Sequence, residues 1–155
     1  MDFLEKNLEQ IIFEADRDKL DDRGLYIWGK LKRQVSIGNY GIADLVGYSR
    51  DEYPIGEGII RITVYELKLD EINIHALLQA VRYVKGIKDY LLNFRNSKLE
   101  FDFDITLIGK TINMGSFIYI PDVFDNVDFY TYEYKVDGIY FKKVENYSLI
   151  TKGFK

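Results

Sequence analysis

The chain contains no cysteine, so disulfide staples and thiolate metal sites are excluded. Its one histidine, His75, rules out multi-histidine zinc centres of the usual kind. A metal bound here would be held mainly by oxygen ligands, and that donor chemistry favours Mg²⁺ or Mn²⁺. Only two prolines interrupt the 155 residues. Long apolar runs are also missing, and none approaches the length of a membrane span. Met1 to Ala15 is acidic and amphipathic, where a signal peptide would carry a basic end and an apolar core. The expected setting is therefore intracellular and cytoplasmic, with no membrane partner. Positive charge is outnumbered, with 21 Lys plus Arg against 25 Asp plus Glu and a net charge of −4. This balance counts against broad non-specific affinity for nucleic acid, but not against a local basic patch.

What is present suits a globular fold. A length of 155 residues predicts one domain over 1–155, large enough for a proper core. The 47% hydrophobic and 30% charged content is ordinary for such a domain. Leu4, Leu8, Ile11, Ile12 and Ala15 recur at helical spacing and predict an amphipathic helix from Asp2 to about Asp16. At about 100° per residue, Glu5 falls on the shoulder of its apolar face and Glu9 further round, towards solvent. Arg17 to Gly24 reads as a charged connection. Within Leu25 to Ile37, residues Arg33 to Ile37 form the clearest strand fragment. The turn signal Gly38-Asn39-Tyr40-Gly41 follows.

Gly41 to Tyr48 reads as a second strand, centred on Asp44. Ser49 to Gly58 reads as a hairpin connection, and Ile59 to Leu69 as a third strand. Asn73 to Phe94 predicts a long helix, with Leu77, Val81, Val84 and Leu91 as its buried stripe, flanked by Leu78, Ile87 and Leu92. Gln79, Tyr83, Gly86 and Tyr90 fall on another side of that helix. Residues 99–112, 116–120 and 128–135 alternate as strands, and Asp137-Gly138 signals a hairpin into Ile139 to Val144. The order α-β-β-β-α-β with added strands predicts a mixed α/β or α+β domain.

Glu66 and Lys68 are two apart on the third strand, so they project to one face about 6.6 Å apart along it. Asp44 interrupts an apolar strand, an awkward place for a carboxylate without a partner or a metal. If the two strands are hairpin neighbours, Asp44 and Glu66 converge. The backbone carbonyl of Leu67 could then complete a cation shell. Lys68 would sit where it can orient a water or stabilise developing negative charge, and Glu5 could add a carboxylate from the first helix. Divalent cations held in this way neutralise a scissile phosphate and activate water.

Each element also has a structural alternative. Glu66 and Lys68 could be a solvated charge pair on a strand face. Glu5 could be a helix-start acid favoured by the macrodipole, and Gln79 with Tyr83 an ordinary helix flank. His75 reads as a helix-start or surface residue. Arg82, Lys85 and Lys88 read as solvated, with phosphate contact as the other option. The C-terminal aromatics (Phe101, Phe103, Phe117, Tyr119, Phe129, Tyr130, Tyr132, Tyr134, Tyr140, Phe141) could pack a sheet, stack bases or form a dimer face.

The set Glu5, GIAD ending at Asp44, YELK with Glu66 and Lys68, and Gln79-x-x-x-Tyr83 resembles the PD-(D/E)XK nuclease superfamily. RQVSIGNYGIADLVGY is similar to the segment leading into the metal-binding aspartate of RecB-type and archaeal Holliday-junction-resolvase-type members. LEKNLEQII is similar to the resolvase-type first helix, with Glu5 as the helix acid and Glu9 as the fallback. The resemblance spans residues 2 to 94 and departs at Ala43, where the family motif has proline. It implies a restriction-endonuclease-like core in residues 1–98, a central mixed sheet flanked by helices, with extra C-terminal antiparallel strands in 99–155. It implies a Mg²⁺- or Mn²⁺-dependent nuclease acting on DNA, with RNA as the other substrate. Asp44, Glu66 and Leu67 would ligate metal, Lys68 and Glu5 would assist catalysis, and Gln79 and Tyr83 would contact substrate. The alternative is an inactive relative that keeps the fold as a binding or assembly module, for instance as a homodimer.

Overall fold

The computed structural model describes residues 5–52, 58–92, 99–117 and 126–144. Helix α1 spans Glu5–Glu14 and buries Leu8 and Ile12, one turn apart. The charged stretch expected to be a connection instead forms a second helix, α2 (Arg17–Asp22). Its cause is local. Asp16, in extended backbone, accepts from the N–H groups of Asp18 (2.9 Å) and Lys19 (3.3 Å), satisfying two donors that a helix start leaves free. Leu20 is the buried anchor that ties this short helix to the core.

Strands β1 (Lys30–Ser36), β2 (Ile42–Glu52) and β3 (Gly58–Leu67) form an antiparallel meander. A 3-10 turn at Gly38–Tyr40 joins the first two, at the turn signal. The φ angles of Gly38 (51°) and Gly41 (112°) explain the glycines there. The connection between β2 and β3 is shorter than expected, because pairing runs from Glu52↔Gly58 inward. Residues 53–57 of that predicted connection lie outside the described residues.

A two-residue strand β4 (Glu71–Ile72) precedes helix α3 (Ile74–Leu92), followed by β5 (Leu99–Gly109), β6 (Thr111–Ile112), β7 (Val127–Lys135) and β8 (Gly138–Val144). The main sheet runs β1-β2-β3-β5-β7-β8, while β4 and β6 pair separately. The expected antiparallel character of the C-terminal strands holds only for β7 with β8. Strand β5 lies parallel to β3, and β7 parallel to β5. For β5 the cause is the crossover through α3, which returns the chain to the end of the sheet where β3 began. The domain is thus α+β with a mixed six-stranded sheet. Of the predicted strand 116–120, Ser116 belongs to a 3-10 turn (Met114–Ser116), and 118–120 lie outside the described residues.

The sheet separates two cores. One face packs on α3 through Ala76, Leu77, Ala80, Tyr83 and Val84 against Val64, Leu107 and Phe129. The other packs on α1 and α2 through Leu8, Ile12 and Leu20 against Leu45, Tyr65, Leu67 and Ile108. The buried stripe of α3 is rotated from the expected one: Leu78, Val81 and Leu92 are exposed, and Ala76, Ala80, Tyr83 and Gly86 are buried. Small residues win because the helix approaches closely. A Cβ on Gly86 would lie 2.5 Å from Ile37 Cγ2 and 2.7 Å from Tyr40 Cδ2. Most described C-terminal aromatics pack the sheet, with Phe129, Tyr130, Tyr132 and Phe141 buried and Tyr134 exposed. Tyr119 lies outside the described residues. Among the described residues, no helix is long and apolar enough to cross a membrane.

Candidate functional site

Asp44 lies where the sheet parts. The β2–β3 ladder ends at Leu45↔Tyr65, so one further step of the same register opposes Asp44 to Glu66. On its other side, the pairs Arg33↔Leu45 and Val35↔Ala43 bracket Gln34, which faces Asp44. The side-chain alternation breaks here. Leu45 lies in the α1-side core, yet Ala43, two residues away, lies in the α3-side core. Gln34 has φ 50°, the left-handed region that a non-glycine residue occupies at a cost of about 1–3 kcal/mol. With the ladder open, the N–H of Leu67 donates to Asp44 Oδ2 (3.1 Å). The half-buried aspartate thus gains a partner through the local loss of strand pairing.

Glu66 follows from β3 on the α3 side and is only 2% exposed. Its Oε1 lies 3.2 Å from Lys68 Nζ, while its Oε2 is buried without a hydrogen-bond partner. Burial, then the neighbouring Asp44 charge, push the Glu66 carboxyl up to about 7, against the opposing pull of Lys68. Burial also raises Asp44, with Glu9 and Glu5 adding and the Leu67 N–H opposing. Lys68 lies one residue beyond the end of β3, with its backbone N–H donating to Ile108 O (2.8 Å). Burial pulls the Lys68 ammonium down, but Glu66, Glu5 and Asp44 together outweigh it and hold it above its ordinary value. The two carboxyls are therefore proton-hungry and the amine stays charged.

The helix acids are the reverse of the expected pair. Glu9, expected towards solvent, is 2% exposed. Arg33 Nε donates to its Oε1 (2.8 Å), and the Gln34 amide donates to its Oε2. The reason is that α1 packs against β1: Arg33 lies two residues from Leu31, which faces the α1-side core, and Gln34, with its φ of 50°, also reaches Glu9. Glu5 is exposed, and its Oε1 makes a long contact (3.5 Å) with the Leu69 N–H. The carbonyl of Leu69 accepts from the Tyr132 hydroxyl. The 67–69 segment that carries Lys68 is thus gripped by Asp44, Ile108, Glu5 and Tyr132.

Helix α3 contributes Gln79, whose Oε1 accepts from Lys68 Nζ (3.3 Å) and whose Nε2 donates to Tyr83 Oη (2.8 Å). Tyr83 is 4% exposed, so it acts on the site through Gln79. Beside them opens a cleft of about 320 Å³ lined by Tyr40, Gly41, His75, Leu78, Gln79, Arg82 and Tyr83. A larger cleft of about 930 Å³ lies away from this cluster, beside the C-terminal half of α3 and the start of β5. Its Arg61, Lys85 and Lys88 face Asp89, Glu100, Asp102 and Asp104, so the charges offset.

The structure thus brings together Asp44, Glu66, Leu67, Lys68, Gln79 and Tyr83, with Glu5 at the edge. Sequence reasoning missed Arg33 and Gln34 and ranked Glu9 behind Glu5. An arginine on a strand that must face α1 was a usable signal for the Glu9 pair, whereas no pattern marks Gln34. Among the described residues, no group of three or more His, Asp or Glu side chains forms a metal cluster. Two carboxylates, a buried unpartnered oxygen and the Leu67 carbonyl still fit a hard cation that keeps several waters. No family model, no curated protein and no solved structure matches the chain.

Proposed function

We propose that the protein is a divalent-metal-dependent nuclease of the PD-(D/E)XK kind, hydrolysing DNA phosphodiester bonds. The observation that carries this reading is the convergence of Asp44, Glu66 and Lys68 with one buried Glu66 oxygen unpartnered. The order of elements, a helix, an antiparallel meander, a helix and a parallel strand, supports a restriction-endonuclease-like core.

Asp44, Glu66 and the Leu67 carbonyl would hold Mg²⁺ or Mn²⁺, and the bound cation supplies charge neutralisation and a more acidic water. The chain's own residues do the rest. Glu66 and Gln79 point the Lys68 ammonium into the site, where it stabilises negative charge developing on the phosphate. Tyr83 orients Gln79. Glu5 and Glu9 add negative charge that strengthens cation binding, and Arg33 with Gln34 keeps Glu9 satisfied in its buried position.

The test is cleavage of single-stranded, double-stranded and branched DNA with Mn²⁺, alongside an RNA arm. The reading expects cleavage that Glu66→Ala and Lys68→Ala abolish while folding persists. If no substrate is cut and calorimetry detects no Mn²⁺ binding, the reading fails in favour of a non-catalytic binding module.

A further inference from the structure

Residues 25–32 alternate in burial except at Gly29, which is exposed and has a φ of 65°. Leu25, Ile27 and Leu31 point into the α1-side core, while Tyr26, Trp28, Lys30 and Lys32 are exposed. The outward row is not explained by packing: Trp28 is 56% exposed and Tyr26 53%. Their rings meet edge to face at 5.5 Å. Tyr48, opposite Lys30 in the register, extends the row onto β2, and Lys32 Nζ lies 5.7 Å from its ring centroid.

Helix α3 packs on β2, β3 and β5 and leaves this end of β1 open. The chain carries a net charge of −4, yet this row holds two lysines, three aromatics and no acid. Covering it with an apolar partner surface would bury two ammonium groups without a counter-charge. The same two charges attract a polyanion.

We propose that this face binds single-stranded nucleic acid, with unpaired bases stacked on Trp28, Tyr26 and Tyr48 and phosphates held by Lys30 and Lys32. Aromatic rings interleaved with cations match unpaired bases joined by phosphates, because base faces are available for stacking only when unpaired. A duplex offers no such faces along its length. Lys32 pairs across from Val46, which lies in the α3-side core, so Lys30, Lys32 and Tyr48 share the sheet face that carries Glu66. A bound strand can therefore run on towards Lys68. That continuation rests on the nuclease reading, but the binding itself does not.

Trp28 is the chain's single tryptophan, so intrinsic fluorescence reports this face directly. The intact protein is titrated with a twelve-nucleotide oligothymidylate, its oligouridylate counterpart and a blunt twelve-base-pair DNA duplex, all in chelator to exclude cleavage. Saturable quenching by one or both single strands, stronger than by the duplex, is expected. Lys30→Ala/Lys32→Ala should weaken binding about tenfold and flatten the log K against log salt slope by about 1.4, at about 0.7 for each phosphate no longer neutralised. Because both lysines are exposed, the double variant should fold, and Lys30→Arg/Lys32→Arg should restore affinity. A labelled-strand anisotropy titration of Trp28→Ala should show weaker binding, with Trp28→Phe retaining most of it. Absence of quenching at millimolar strand, equal or tighter duplex binding, or unchanged affinity in the double alanine variant would overturn the proposal. Quenching without any Mn²⁺-dependent cleavage would leave this site standing and remove the nuclease reading; cleavage without quenching would do the opposite.

Discussion

Replacing Glu66 by glutamine should change how stability depends on pH. Glu66 is buried and its carboxyl rises from 4.5 to about 7. Between those values the folded protein holds a proton that the unfolded chain has released. A raised folded-state value stabilises below the unfolded value, and that stability is lost as pH climbs through the folded one. In chelator, the metal-free wild type should therefore lose about 2.5 kcal/mol between pH 5 and pH 8, at 1.36 kcal/mol per unit. With a urea dependence of about 2 kcal/mol per molar, the midpoint should fall by about 1 M. The raised Asp44 carboxyl acts in the same direction. Glu66→Gln cannot ionise at that position, so its midpoint should fall much less over this range, with Asp44 left to contribute, and should exceed that of the wild type at pH 8. The assay is urea unfolding followed by far-ultraviolet circular dichroism at the two pH values. An unchanged pH slope in Glu66→Gln, or wild-type stability that rises with pH, would refute the placement of Glu66 as a buried, cation-free carboxylate beside Asp44.

Two further outcomes follow from the same geometry. Arg33→Ala strips the ionic partner from buried Glu9, a change that costs about 3–5 kcal/mol when a charge is left wholly unpaired. Because Gln34 still donates to Glu9 and Arg33 is partly exposed, about 2 kcal/mol is expected in urea unfolding at pH 7, and Arg33→Ala/Glu9→Gln should recover much of it. Arg82 lines the cleft beside Gln79 but stays outside the Lys68 cluster, so Arg82→Ala should raise KM for DNA several-fold with little change in kcat. A steady-state titration of substrate separates that outcome from a loss of folded protein.

The elements that periodicity marks were readable from sequence because burial enforces them. The helical spacing of Leu8 and Ile12 in α1 expresses one face turned to a core, and Asp137-Gly138 marks its hairpin by turn chemistry, whereas β3 alternates in sequence yet buries both faces from Val64 to Leu67, one against each core. What escaped was set by contacts between elements. Helix α2 depends on the Asp16 cap rather than on an apolar stripe. The buried face of α3 is chosen by how closely Gly86 lets it approach Ile37 and Tyr40, so small residues displaced Leu78 and Val81. Glu9 is buried because Arg33 and Gln34 reach it, and no helical wheel of α1 contains those residues. Within the site, Asp44, Glu66, Lys68 and Gln79 were visible as chemistry at fixed spacing. The strand opening at Gln34 that lets Asp44 hold the Leu67 N–H was not, because it is a backbone event at an ordinary residue.

The most direct measurement of the central claim is the initial rate of DNA cleavage at saturating Mn²⁺, for wild type and Lys68→Ala, with Mn²⁺ affinity recorded for both by calorimetry. The account predicts that wild type cuts, and that Lys68→Ala binds Mn²⁺ yet is slower by about 10²–10³-fold, the loss typical of removing one group aimed at developing charge. Equal rates in the two proteins, or a wild type that binds Mn²⁺ and cuts no substrate, would contradict it.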